Sequence, residues 1–239
     1  MTRTNEHGHP IGPALTAWRA PPTPSATTLV GQYTRLTPLT AAHTDDLWHA
    51  ASRPEAAATW TYLTYGPFAD RAAFDQWVST RISAKDPFYY AIIDLRDGRA
   101  KGWASHMRID PANGVIEVGN VWFSPLMARG RIATEAMFLM MQAAFDWGYR
   151  RYEWKCDALN APSRAAAARL GFSYEGIFRQ AVVYKGRSRD TAWYAIIDSD
   201  LPALHRAFAT WLDPANFDAD GQQRQSLSQL TPRPHHEPA

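Results

Sequence analysis

A short basic loop that opens directly into a helix is the part of this sequence best suited to chemistry. The loop at 128–131 (Ala-Arg-Gly-Arg) follows a strand that Ser124-Pro125 interrupts, and the helix continues as far as Phe145. The first N–H groups of a helix have no partner inside it, and the helix dipole favours negative charge at that end. The loop is therefore predicted to bind an anion such as a phosphate.

The elements on either side of the loop predict a strand–helix–strand unit. The strand before it covers Val115–Phe123, Gly148 ends the helix, and the next strand lies at 149–159. Two strands joined by one helix become parallel neighbours through a right-handed crossover. The unit therefore places the loop at the end of a central parallel pair of strands.

Hydrophobic periodicity predicts the remaining elements. Before the unit it predicts strands at 31–36, 88–95 and 102–109 and helices at 41–51 and 70–83. After the unit it predicts a short helix that starts near Asn160 and ends at Gly171, a hairpin at 172–185 and 191–198, and a helix at about 202–212. Residues 29–215 are expected to form one domain, with poorly ordered ends at 1–28 and 216–239 that lack periodicity.

Composition limits the function classes. The chain has 239 residues, 46% of them apolar, with a net charge of +2 and a single cysteine, Cys156. A nearly balanced charge does not indicate nucleic-acid binding. One cysteine excludes an internal disulfide, and no stretch is predicted to cross a membrane or to act as a signal peptide, so a cytoplasmic location is expected. The eight histidines show no metal-ligand spacing, and no metal is expected.

The sequence contains three local motifs, which are Ala133-Thr134-Glu135-Ala136, then Asn160-x-x-Ser163 with Arg169-Leu170-Gly171-Phe172, and finally Tyr174-Glu175-Gly176. In this order they resemble the GCN5-related N-acetyltransferases (GNAT), in particular the branch of the ribosomal-protein alanine and serine N-acetyltransferases. The resemblance covers about residues 29 to 200 and implies an α/β (α+β) fold. That fold is a mixed, mostly antiparallel sheet with a central parallel βαβ unit and helices on both faces.

The resemblance implies acetyl-CoA as the acetyl donor and a primary amine as the acceptor. The family's pyrophosphate loop, Gln/Arg-x-x-Gly-x-Gly/Ala, aligns with residues 128–133, where only the last position fits. Arg131 replaces a motif glycine, and Ala128 replaces a polar residue. The expected cofactor-binding residues are Val121, Trp122, Phe123, Ala128, Arg129, Gly130, Arg131, Ile132, Ala133, Thr134, Asn160 and Ser163.

The reaction needs a base that takes a proton from the incoming ammonium. Glu117 lies on the strand before the loop, where several members of the superfamily carry a glutamate base. A solvent-facing carboxylate on the strand is the alternative interpretation of Glu117. The position of the base proposed for the ribosomal branch is Val182 here, which cannot act as one. Asp157 and Asp190 are further candidates.

The departing CoA thiolate needs a proton donor. The position of the family's usual tyrosine holds Ala167, whereas Ser163 matches the serine of the ribosomal branch and is the expected donor. Capping of the helix is its alternative role. Backbone N–H groups at 120–122 are expected to stabilise the oxyanion.

The acceptor stays open between a protein N-terminus and a small-molecule amine. Core packing explains most aromatic residues at such positions, but six of them could form a wall for the ammonium or for an aliphatic amine: Trp60, Tyr62, Tyr65, Phe68, Tyr184 and Trp193. A catalytically silent acyl-CoA-binding or regulatory protein of the same fold is the alternative function. A homodimer also stays open.

Overall fold

The computed structural model describes residues 3–25, 27–127 and 130–231. Its main feature is an eight-stranded sheet, and a separate hairpin of two short strands lies near the N-terminus. In chain order the strands are β1 Arg3–Thr4, β2 Pro10–Ile11, β3 Leu29–Val30, β4 Thr34–Pro38, β5 Phe88–Asp94, β6 Ala100–Asp110, β7 Val115–Phe123, β8 Arg151–Asp157, β9 Ser173–Tyr184 and β10 Arg187–Ile197.

Six α-helices occur in the described residues. They are α1 Thr44–Ala51, α2 Arg71–Ile82, α3 Arg131–Asp146, α4 Ala161–Arg169, α5 Leu201–Leu212 and α6 Leu227–Leu230. Short 3-10 helices lie at Ala41–His43, Pro54–Trp60, Asp198–Asp200 and Pro214–Asn216. The predicted elements at 41–212 are all present, with boundaries within a few residues of those that periodicity gave.

The strands run in the order β3-β4-β5-β6-β7-β8-β10-β9, and β7 and β8 are the parallel neighbours. All the other pairs in this sheet are antiparallel. The predicted mixed, mostly antiparallel sheet with a central βαβ unit is therefore confirmed.

The sheet divides between β7 and β8. These strands pair only from Val115↔Arg151 to Val118↔Trp154. Beyond that point β7 stays paired with β6 as far as Phe123, while β8 stays paired with β10 as far as Asp157. The two halves of the sheet thus separate at the end where the loop at 128–131 follows β7.

Helices cover both faces of the sheet, as predicted. On β5, Tyr90 and Ile92 pack into a core that contains residues of α3 and α5, whereas Tyr89 and Ile93 pack into a second core with residues of α1 and α2. Alternation along a strand sends successive side chains to opposite faces. We call these the α3 face and the α1 face.

The C-terminal segment, residues 213–231, differs from the expected poorly ordered tail. The side chain of Leu227 is fully buried, and Asn216 is only 8% exposed. The Asn216 amide donates to the carbonyls of Trp211 and Gln225 (both 3.1 Å) and accepts from the Gln225 N–H (2.9 Å). Composition concealed this packing because a few buried residues anchor a mostly polar stretch.

The N-terminal arm touches the body at few places. Pro21 is buried, and Tyr149 donates its hydroxyl to the Pro22 carbonyl at 3.1 Å. Most of the other described residues before β3 are exposed.

Candidate active site

A cleft of about 1340 Å³ starts at the first turn of α3 and extends into the divided sheet. Phe123 at the end of β7 and Trp154 on β8 line it from the two halves of the sheet. Residues of α4 and of the C-terminal segment form its outer walls: Pro162, Ala165, Ala166, Arg169, Phe217, Gly221, Gln222 and Gln223. The volume and the mixed lining suit an elongated ligand.

Three arginines line the cleft: Arg96 follows β5, and Arg131 and Arg169 lie near the start of α3. Arg131 lies between two aromatic rings, with its guanidinium carbon 4.9 Å from the centre of Tyr33 and 4.3 Å from that of Phe217. Arg169 lies 4.9 Å from the ring centre of Trp211 and donates to the Thr134 hydroxyl at 3.1 Å. Burial lowers the pKa of Arg169, but a guanidinium stays charged at neutral pH.

The backbone adds anion-binding capacity at the same place. Thr134 N–H donates to the Gly130 carbonyl at 3.4 Å, the first helical bond of α3. Helix geometry leaves the N–H groups of the preceding residues, Arg131–Ala133, without partners inside the helix. The α3 N-terminus and two guanidinium groups therefore concentrate positive charge at one end of the cleft.

Tyr33 is fixed in this wall by a carboxylate of α3. Glu135 is buried and accepts the N–H groups of Gln32, Tyr33 and Thr34 at 2.7, 2.7 and 2.8 Å. Gly31 is required beside it, because a Cβ at that position would lie 2.4 Å from the Glu135 carboxyl carbon. The turn before β4 is thus held directly against the start of α3.

Most of the expected cofactor-binding residues of this region line the cleft. These are Phe123, Gly130, Arg131, Ile132, Ala133 and Thr134. Ala128 and Arg129 lie outside the described residues. Val121 is half-buried and packs against the core of the α3 face.

Trp122 requires a correction. Its side chain is 1% exposed, stacks on Trp60 at 4.8 Å in the α1-face core, and donates to the Thr59 hydroxyl at 2.9 Å. Asn120, with φ of 51°, lies where the pairing between β6 and β7 is irregular, so simple alternation fails there. Only the backbone of Trp122 remains available to a ligand in the cleft.

Asn160 and Ser163 lie at the start of α4, beside the cleft. The Asn160 side chain caps the helix by accepting the Ser163 N–H at 3.2 Å. The Ser163 hydroxyl accepts from the Trp154 indole at 3.0 Å and contacts the Cys156 thiol, whose pKa is raised by burial. Neither residue lines the cleft, but Trp154 and Pro162 beside them do.

Glu117 is buried on the α1 face in a group of charged side chains. Its carboxylate binds the Lys155 ammonium at 2.8 Å and the Arg108 guanidinium at 3.3 Å. Burial raises the pKa of Glu117, and these two cations only partly oppose the rise. Lys155 also binds Glu153 at 2.7 Å and lies 3.8 Å from the ring centre of Trp193.

The two other carboxylates named as candidate bases make structural contacts. Asp157 is buried and accepts from the Tyr184 hydroxyl at 2.8 Å and from the Leu159 N–H at 2.9 Å. Asp190 accepts the Gln180 N–H at 2.7 Å within the β9–β10 hairpin. Val182 lies on β9 opposite Arg189.

The six aromatic residues do not form one wall. Trp60 and Phe68 belong to the α1-face core, and Tyr184 is bound to Asp157. The segment around Trp60 instead forms a bridge to the other half of the sheet. Lys185 donates to the Trp60 carbonyl at 2.7 Å, and Tyr62 donates to the Leu159 carbonyl at 3.1 Å. This bridge connects the segment around Trp60 to the turn between β9 and β10 and to the residue that follows the end of β8 by two positions.

Sequence reasoning did not single out Tyr33, Trp154, Arg169 or Phe217, although all four line the cleft. The motif around Arg169 was found, but only as a signature of the family. The other three lie outside the motifs, and a single sequence carries no signal that brings them together.

Other kinds of site are not visible in the described residues. They contain no group of three or more His, Cys, Asp or Glu side chains placed to hold a metal ion. Within the same residues, no helix is long and apolar enough to span a membrane.

Comparisons with known proteins agree on one family. The acetyltransferase (GNAT) domain family matches residues 34–173. A GCN5-related N-acetyltransferase from Brucella melitensis is 48% identical, with a TM-score of 0.89, over 90% of this chain and 99% of that one. A protein from Chromobacterium violaceum, described as a probable acetyltransferase of the GNAT family, is 38% identical, with a TM-score of 0.76, over 82% of this chain and 98% of that one.

A more distant structure shares the fold. It is the acetyltransferase from Salmonella typhimurium that modifies the N-terminal serine of the 50S ribosomal subunit protein L7/L12. It is 22% identical, with a TM-score of 0.62, over 72% of this chain and 99% of that one. No match is found among the curated proteins.

The divided sheet, the basic cleft at the start of α3 and these two close relatives lead to one conclusion. The chain belongs to the GNAT acetyltransferase family and is an acetyl-CoA-dependent acyltransferase.

Proposed function

We propose that this protein transfers the acetyl group of acetyl-CoA directly to a primary amine, carried by a protein N-terminus or by a small molecule. The observation that supports this most is the division of the sheet beyond Val118 and Trp154. It lets a thioester in the cleft on the α3 side be reached from the α1 face. Donor and acceptor can then bind on opposite sides without displacing each other.

The phosphates of acetyl-CoA are assigned to the positive end of the cleft. Arg131, Arg169 and the first N–H groups of α3 would hold them, and Phe123 and Trp154 would contact the pantetheine arm. Arginine suits this task because its planar group presents several donors to phosphate oxygens. In this chain the side chain of Arg131 takes part where the family's loop uses a glycine and backbone contacts.

Glu117 is the proposed proton acceptor for the amine. Its pKa is raised by burial, which makes the carboxylate a better base than an exposed glutamate. The ion pair with Lys155 opposes protonation, but Lys155 keeps Glu153 as a counterion when Glu117 takes up a proton. The buried ammonium would therefore not be left unpaired.

Ser163 is the proposed donor to the leaving thiolate. As the amine nitrogen forms its bond to the acetyl carbon, the C–S bond breaks and the Ser163 hydroxyl protonates sulfur, regaining its proton from solvent. The Ser163 oxygen accepts from the Trp154 indole, and the hydroxyl also contacts the Cys156 thiol, so protonation of the CoA sulfur would exchange one sulfur contact for another. Backbone N–H groups at 120–122 would stabilise the oxyanion.

The bridge between the segment around Trp60 and the β9–β10 hairpin affects which shape of amine can approach as the acceptor. It limits the width of the approach on the α1 face, because both Tyr62 and Lys185 reach across it. A narrow approach admits an amine at the end of an extended chain more easily than one on a bulky ring system.

The test is to incubate the protein with acetyl-CoA and a mixed library of peptides and small amines, and to identify products by mass spectrometry. Acetylated primary amines with stoichiometric release of CoA are expected. Tight acetyl-CoA binding without any CoA release over the whole library would instead support a silent acyl-CoA-binding protein.

A further inference from the structure

We propose that the C-terminal segment, residues 213–231, is part of the acyl-CoA site, where it fixes Arg131 in place for the ligand's phosphates. The inference rests on the proposed function, because it assumes that the cleft binds acetyl-CoA. It adds a binding wall that lies entirely beyond the residues matched by the family, which end at 173.

The first support is the position of Arg131. Its guanidinium lies between Tyr33 and Phe217, with ring centres at 4.9 and 4.3 Å. A long side chain at the start of a helix normally samples several rotamers, and ordering it costs free energy. Two aromatic faces remove much of that cost before the ligand arrives. Since Arg131 replaces the motif glycine, the phosphate contact needs this support.

The second support is that the segment has its own anchors. Trp211 donates its indole N–H to the Gln223 side chain at 2.7 Å, and the same tryptophan stacks with Arg169. The ring of Phe217 packs edge-on against Trp211 at 5.3 Å. Leu227 is fully buried, and α6 contacts both α4 and α5. Phe217 of the segment therefore positions Arg131, and Trp211, which the segment contacts, positions Arg169.

The third support is the composition of the wall. Phe217, Gly221, Gln222 and Gln223 line the cleft, and none of them carries a negative charge. Asp218 and Asp220 of the same segment are exposed and are not lining residues. A neutral, hydrogen-bonding wall opposite two guanidinium groups suits the phosphate-bearing end of CoA.

Calorimetric titration with acetyl-CoA and with acetyl-pantetheine, which has no phosphates, tests the inference. The variants are Phe217→Leu, Arg131→Met, the double variant, and Phe217→Tyr as the control that keeps an aromatic ring. Phe217→Leu should weaken acetyl-CoA binding about 3- to 10-fold, the size of one cation–π contact. It should leave acetyl-pantetheine binding unchanged, and Phe217→Tyr should bind as the parent protein does.

The double variant distinguishes a Phe217 that positions Arg131 from a Phe217 that simply contacts the ligand. If Phe217 acts through Arg131, Phe217→Leu should have less than about a twofold effect in the Arg131→Met background, where no cation is left to position. An undiminished effect in that background, or equal losses for both ligands, would overturn the inference. So would unchanged acetyl-CoA binding by Phe217→Leu.

A second variant does not depend on the packing of Phe217. Gln222 is exposed, and Gln222→Glu adds a negative charge to the wall at little risk to folding. It should weaken acetyl-CoA binding by roughly threefold or more through repulsion of the phosphates, and the loss should shrink in high salt. Failure of the parent protein to bind acetyl-CoA would contradict the proposed function itself, whereas normal binding in every variant contradicts only this inference.

Discussion

Glu117 and Ser163 are the two side chains with proposed roles in proton transfer. Glu117 is buried in the sheet with two cations, and Ser163 is bound to the indole that lines the cleft. Each has a structural contact in addition to its proposed chemical role. Mutational tests must therefore separate loss of rate from loss of folding.

Replacement of Glu117 by Gln should lower kcat near neutral pH by about 100-fold, the low end for loss of a general base. Binding of acetyl-CoA should not change, because Lys155 remains paired with Glu153. Steady-state kinetics with a library-derived amine and calorimetry check the two parts.

Glu175→Gln is the matched control, since Glu175 binds Arg151, which also pairs with Glu153. It should keep the parent rate. In the parent protein, activity should fall as pH drops through the raised pKa of Glu117, at a higher pH than for an exposed glutamate. An unchanged rate in Glu117→Gln would remove Glu117 from the mechanism.

Replacement of Ser163 by Ala should lower kcat about 10- to 100-fold while KM for acetyl-CoA changes little, because the thiolate loses its proton donor. Ser163→Thr retains a hydroxyl and should recover most of the rate. A structural role alone would give Ser163→Ala lower stability, through the unpaired Trp154 indole, with a normal kcat. Urea unfolding measured beside the kinetics distinguishes the two.

At the scale of the elements, the small helix α6 is one of the anchors of the C-terminal segment. Leu227 of α6 is fully buried, whereas Leu159, after β8, is 80% exposed. Leu227→Ala should lower the free energy of unfolding by about 2 to 5 kcal/mol, the range for buried leucines. Leu159→Ala should change it by less than about 0.5 kcal/mol, as is usual at the surface. If the loss for Leu227→Ala were as small as that expected for Leu159→Ala, α6 would not be packed as described.

Sequence periodicity predicted most of the body because each strand or helix there carries its own alternation or 3.6-residue pattern. Val115–Phe123 is an apolar strand as far as its breaking Ser124-Pro125, and the boundaries agree. The C-terminal segment has no such pattern. Asn216 binds Trp211 of α5 and Gln225 of the segment itself, and α6, which carries Leu227, contacts α4 and α5. Only the folded chain shows these contacts.

For the candidate site too, the local features could be predicted from the sequence, whereas those that depend on pairing between strands could not. The α3 N-terminus follows from local sequence, and its residues line the cleft. The orientation of Trp122 did not follow, since it depends on the irregular pairing at Asn120. The pairing of Glu117 with Lys155 depends on two strands meeting in parallel, with Glu117 opposite Glu153.

At the scale of the whole molecule, His106 links the sheet to α3. It is fully buried, its Nε2 lies 3.1 Å from the Met140 carbonyl, and its other ring nitrogen has no partner among the described residues. Burial lowers the pKa of His106 from 6.5 to about 4. Between pH 6.5 and pH 4 the unfolded chain therefore binds a proton at His106 that the folded chain does not bind. The contribution of neutral His106 to the free energy of unfolding is fully present above pH 6.5 and is lost as the pH falls towards 4.

The expected loss between pH 6.5 and 4 is on the order of 3 kcal/mol, from about 1.4 kcal/mol per unit of pKa difference. Urea unfolding at several pH values measures it. His106→Gln, which can still donate to the Met140 carbonyl, should flatten the profile in this window. A profile that stays equally steep in the variant would show that other groups cause the acid loss.

The wall that holds Arg131 joins the two ends of the chain's folded part. Tyr33 donates its hydroxyl to the Leu212 carbonyl at 3.0 Å, across 179 residues of sequence, and Phe217 follows a few residues later. Contacts so distant in sequence form late, after the intervening loops have closed. During synthesis, a chain that lacks α5 has no such wall. A ligand that needs this wall, as proposed for acetyl-CoA, can stabilise by mass action only those molecules in which α5 and residues 213–231 have already folded.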